Sequence, residues 1–208
     1  MRPFNKNEKD IIKKLTEIDE IKLSTLSKFL QDCYFTEERG MSFRVLNKEK
    51  LYLYYDIKKY NNEVKRRKMM AAFIELYWLI YYLIENHYIY TMGINHGEDQ
   101  FITYFKCQNR TLSNAKGDYL AIKDCRIYDK DNNKVCASIS CESFDIDFIN
   151  KNYFGELYVT EELKEFVNDG FITKEEKQFK RSYNQTWWAI GTSIVIGLIS
   201  IYLQLLFH

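Results

Sequence analysis

Apolar residues recur at helical spacing through the first thirty positions. Ile11, Ile12, Leu15 and Ile18 set one face of a helix over 7–18, with Asn7 as its cap; Leu26, Phe29 and Leu30 repeat the pattern over 24–31. The rhythm then changes to short strands over 43–46 and 51–55, joined by the turn-forming Asn47-Lys48-Glu49-Lys50. From Lys58 onward the chain predicts a long helix, basic at Lys65-Arg66-Arg67-Lys68 and apolar over 69–84 apart from Glu75. That apolar stretch is short for a membrane span and would hold Glu75 near its middle, so it reads as a buried core helix. Alternating residues over 87–92 and 101–107 flank the polar turn Asn95-His96-Gly97-Glu98-Asp99 and predict a hairpin.

A second hairpin is predicted from 119–128 and 135–144, around Asp129 to Lys134. A strand ending near Tyr158 leads into a short helix to Asp169, with Gly170 as the stop. Thr173 and Glu176 have the spacing of a capping box, so a helix starts at Lys174 and runs unbroken into residues 187–207. That last stretch carries no ionisable side chain and is about 30 Å long as a helix, which predicts a single transmembrane span. Trp187 and Trp188 suit an interfacial belt at its entry, and Phe207 closes it. Lys174, Lys177, Lys180 and Arg181 precede the span and no basic residue follows. The expected placement is therefore tail-anchored and single-pass in the cell membrane, with the N-terminal part in the cytoplasm. Ala189, Ser193, Gly197, Ser200 and Gln204 fall in one stripe of small and polar residues, an expected contact line for self-association or for another protein's helix.

The predicted fold class is α+β. It divides into a cytosolic domain over 1–115, a β-hairpin region with a short helix over 116–172, and a juxtamembrane helix with its anchor over 173–208. The order helix, helix, helix, strand, turn, strand across about residues 8–107 resembles a winged-helix domain with the 88–107 hairpin as its wing. The insert over 34–57 departs from that pattern. The run from Glu161-Glu162-Leu163 through Phe171-Ile172-Thr173 into the terminal stretch resembles the tail of uncharacterised bacterial membrane-tethered proteins. That likeness covers about the last fifty residues and implies no activity.

Composition narrows the function classes. A formal charge of only +1 over 208 residues argues against a protein that coats nucleic acid. Cys33, Cys107, Cys125, Cys136 and Cys141 form no C-x-x-C doublet, and the charged N-terminus has no apolar leader, so a reducing compartment is expected. Asp129-x-Asp131-x-Asn133 opens like a calcium loop, but Lys134 and Ser140 stand where Gly and Glu are required. Asp145 and Asp147 could share a strand side, yet nothing beside them completes a hydrolytic or metal site. His87 and His96 have no clustered ligands. With eight glycines there is no phosphate loop, dinucleotide fingerprint or nucleophile elbow. No catalytic, cofactor-binding or metal-ligating residue is assigned, and no cofactor. Lys65, Arg66, Arg67 and Lys68, with Lys180 and Arg181, are assigned to contact an anionic surface.

The expected function is a membrane-anchored, non-enzymatic interaction or sensor protein. By analogy of architecture it resembles an oligomerising effector of a bacterial defence or stress system. Its expected partners are the lipid bilayer and a protein, itself or another. The alternatives are a membrane-tethered winged-helix regulator that binds DNA, and an enzyme without a recognisable motif.

Overall fold

The computed structural model describes residues 2–18, 25–93, 99–108, 111–113 and 119–206, by backbone only at 99–100, 106–108, 111, 119 and 198–206. The chain divides into two compact units, one of residues 4–163 and one of 164–208 with the first three residues.

The larger unit begins with α1 (Lys6–Thr16) and α2 (Leu26–Cys33). The cap of α1 is Asn5 rather than Asn7: its side chain accepts from Glu8 N while Glu8 accepts from Asn5 N, a reciprocal capping box. β1 (Met41–Leu46) and β2 (Lys50–Asp56) form the predicted hairpin, with Asn47 and Lys48 both at positive φ in its turn. α3 (Glu63–Glu85) follows, then β3 (Ile89–Met92), β4 (Asp99–Ile102), β5 (Lys106–Gln108), β6 (Thr111–Ser113), β7 (Tyr119–Lys123), β8 (Arg126–Tyr128) and β9 (Lys134–Ser140). α4 (Ile146–Asn152) and β10 (Glu156–Val159) complete it, and α5 (Glu161–Asn168) crosses into the smaller unit. Eight strands make one curled antiparallel sheet in the order β4-β1-β2-β9-β8-β7-β6-β5. Its outermost strands, β4 and β5, are only three residues apart in the chain, which accounts for the curl.

Alternation gives this sheet two apolar faces. On one, Phe43 of β1 lies opposite Leu53 of β2, and its ring meets Phe35, Phe73, Tyr153 and Phe154 at centroid separations of 5.1 to 6.4 Å. Phe73 belongs to α3, so these rings join the helix to the sheet. On the other face, Tyr54, Phe105, Leu112, Leu120, Ile127 and Cys136 form a second core.

The expectation of an α+β chain holds, and two parts of the predicted fold class are corrected. The 88–107 wing does not form. β3 pairs with β10, Tyr90 opposite Tyr158, whereas β4 pairs with β1, Phe101 opposite Arg44. Two strands adjacent in sequence thus join different sheets, and the winged-helix arrangement goes with them. The second predicted hairpin holds three strands, because its first arm folds back at Asp124 and Cys125, both at positive φ.

The second correction concerns the C-terminus. α6 (Lys174–Leu206) is one helix, started as expected by Thr173 and Glu176. Among the described residues, however, no helix is long and apolar enough to cross a membrane. The first turns of α6 carry Lys174, Glu175, Glu176, Lys177, Lys180 and Arg181. The transmembrane, tail-anchored and single-pass expectations, and the cell-membrane placement with a cytoplasmic N-terminal part, are overturned.

Gly155 holds the β3–β10 ribbon close. A Cβ there would meet the Met92 carbonyl oxygen at 2.6 Å and its carbon at 2.8 Å, both rigid backbone. Gly155→Ala is expected to destabilise the protein by about 1–3 kcal/mol. Urea denaturation checks this, and an unchanged midpoint would contradict the close approach.

Candidate interaction surfaces

The sequence placed its surface residues on two helices, α3 and α6, which belong to different units. Hydrogen bonds from its neighbours hold α3 in addition to the Phe43 rings. Asn62 caps it by accepting from Lys65 N at 2.9 Å. The Tyr34 hydroxyl donates to Ala72 O at 2.7 Å, and the Arg39 guanidinium lies 4.0 Å from the centre of the Tyr34 ring. Tyr60 in turn donates to Arg39 O at 2.6 Å.

Those contacts fix which way α3 faces. Met69, Phe73, Leu76, Tyr77, Leu79, Ile80 and Leu83 are buried along one side. At about 100° per residue, Arg67, Ala71, Ile74, Trp78 and Glu85 lie opposite. The predicted core helix is therefore buried on one face only: Trp78 is 55 % exposed and Ile74 39 %. Tyr77 and Tyr81 meet the Trp78 ring edge-on at 5.3 and 5.5 Å, which orients a large apolar surface outward. Of the basic run, Lys65, Arg67 and Lys68 are exposed and Arg66 is half-buried, reaching Tyr60 O at 3.4 Å. These four residues point around the helix rather than along one stripe, so they form a collar.

Over 174–197 every residue of α6 except the half-buried Lys177 is exposed. Phe179 stacks on Tyr183 at 6.4 Å, and Tyr183 meets Trp187 edge-on at 6.1 Å. Trp187, Ile190 and Ile194 continue the same side of the helix, and Trp188, Val195 and Ile196 are exposed as well. Of the predicted small-residue stripe, the Ser193 hydroxyl donates to Ala189 O at 2.9 Å, so it is satisfied within the helix. Gly197 faces open space. The side chains of Ser200 and Gln204, and all of Phe207, lie outside the described residues. Lys180 and Arg181 are exposed. Arg181 lines an open depression with Glu165, Asp169, Lys174 and Lys177, where Lys174 pairs with Glu165 at 3.4 Å and Lys177 pairs with Asp169. Cations and carboxylates alternate there, so this is no receptor for an anion.

The acidic and thiol candidates have structural places. Asp129 closes its turn by accepting from the Asp131 and Asn133 amides at 3.0 and 2.8 Å, which holds its carboxyl below the ordinary range. Asp145 caps α4 by accepting from Phe148 N at 2.9 Å. Among the described residues no three His, Cys, Asp or Glu side chains converge as a metal site would need. Burial pushes the Cys136 thiol up to about 12 and the Cys141 thiol up to about 11, leaving neither activated. Burial raises Tyr153 as well, and its hydroxyl has no partner among the described residues.

What the sequence reading missed is the outer face of α3. Apart from Glu75, residues 69–84 are apolar around the whole helix, so periodicity gives little direction. The signal becomes visible only when the inner face is known.

Compared with known protein families, curated proteins and solved structures, the chain matches none of them.

The raised thiols carry a pH dependence. An unfolded thiol ionises near 9, whereas Cys136 in the folded chain stays protonated to about 12. Stability from this group is complete below pH 9 and is lost as the pH rises from about 9 through about 12. Chemical denaturation across that window is expected to show the fall, with a smaller fall in Cys136→Ala. Equal slopes in both proteins would contradict it.

Proposed function

We propose that this chain is a non-enzymatic interaction protein that assembles with copies of itself through α6. The observation that carries the reading is the uncovered apolar line of Phe179, Tyr183, Trp187, Ile190 and Ile194 along one side of that helix. Exposed patches of this kind mark association surfaces, and a helix is stabilised in water mainly by packing its apolar side. Isolated surface tryptophans need no explanation, but a continuous line of rings and branched chains does. Spacings of four, four, three and four residues bring these five side chains onto a seam that a second copy of the same helix matches.

The raised thiols of Cys136 and Cys141 and the structural roles of Asp129 and Asp145 favour binding over catalysis as the business of these residues. The DNA-binding alternative loses its wing, since β3 and β4 take different partners.

Sedimentation velocity of the full chain over a concentration series tests this reading. The wild-type protein is expected to form oligomers. Trp187→Glu with Ile190→Glu is expected to reduce their size while the far-UV circular dichroism of the folded part is kept. A size distribution unchanged by the double substitution would refute assembly through α6.

A further inference from the structure

We propose that the outer face of α3 is a second self-association surface, on which the α3 of another copy lies antiparallel. Arg67, Ala71, Ile74, Trp78, Tyr81 and Glu85 follow one another by alternating steps of four and three residues, the spacing of a helix–helix seam. That seam lies opposite the face held by Phe43 and Phe35, and Tyr81 stands at its edge, half-buried against Phe148.

Charge selects the occupant. Lys65, Arg66, Arg67 and Lys68 crowd the beginning of α3, and from Met69 to its end the only charges are Glu75 and Glu85. Both groupings oppose the helix's own dipole, which disfavours cations at the N-terminal end and anions at the C-terminal end. A second α3 running the other way answers both at once, because it brings its acidic end to the basic end of the first. One register completes the pairing: Arg67 against the other copy's Glu85, Ala71 against its Tyr81, Ile74 against its Trp78, each repeated by the two-fold axis. These three levels are complementary, as an ion pair, a small residue against a large one, and two apolar side chains. In that pairing Arg67 exchanges its exposed helical neighbour Glu63 for the carboxylate of the other chain.

Glu75 flanks the axis and faces its own symmetry mate, so it opposes the pairing; neutralising it is expected to tighten the dimer. A chain with two self-pairing surfaces, α3 and α6, links dimers into longer assemblies, whereas either surface alone stops at a pair.

The test uses the full chain carrying Trp187→Glu and Ile190→Glu, so that α6 pairing is suppressed. In that background sedimentation equilibrium is expected to show a dimer. Arg67→Glu alone and Glu85→Arg alone are each expected to raise its dissociation constant at least about tenfold. Their combination restores it, because the swapped charges attract again. Glu75→Gln is expected to lower the constant. A background protein monomeric at all concentrations, single reversals without effect, or a double reversal no tighter than the singles would overturn the proposal. Failure of the α6 reading shows separately, as a background no smaller than the wild-type protein.

Discussion

The ring of Phe43 is the contact on which the larger unit depends. It sits on β1 and meets rings from the segment after α2, from α3 and from the segment before β10. Edge-to-face rings at these separations have a preferred geometry beyond the area they bury, so they fix orientation as well as distance. Elements far apart in the chain are thereby held against one sheet. Because Phe73 and Phe35 are part of the same set, the cluster decides which side of α3 faces inward and so which residues are left outside. The exposure of Trp78 follows from that facing.

Much of the local structure was legible in the chain. The turn after β1, the Thr173–Glu176 box and the stop at Gly170 rest on neighbouring residues and formed where those residues required. The cap of α1 was legible too: Asn5 and Glu8 have the same spacing as Thr173 and Glu176, and the choice of Asn7 overlooked it. The Asp124–Cys125 turn was not legible, since no glycine marks it and a cysteine rarely takes a positive φ. Strand pairing was the larger failure. Alternation identifies β3 and β4 as strands, but the choice of β10 and β1 as their partners is made by non-local packing. Proximity in sequence suggested a wing that packing does not permit.

The outward faces of α3 and α6 escape the sequence for related reasons. Apart from Glu75, residues 69–84 are apolar on every side, and burial was the natural inference; the structure buries one side and leaves Ile74 and Trp78 outside. In α6 the apolar character of the end suggested an anchor, yet among the described residues no helix is long and apolar enough to cross a membrane. In both helices the informative quantity is the direction of the apolar surface relative to the packed core. Sequence periodicity cannot supply that where one type of residue occupies all directions.

Hydrogen exchange of the full chain, compared with a Phe43→Ala variant, addresses the central claim directly. Loss of this ring is expected to cost about 3–5 kcal/mol, and amide protection in β1, β2 and the second half of α3 should fall together by a common amount. If α3 keeps its protection while the two strands lose theirs, the ring cluster does not hold the helix, and its facing has another cause.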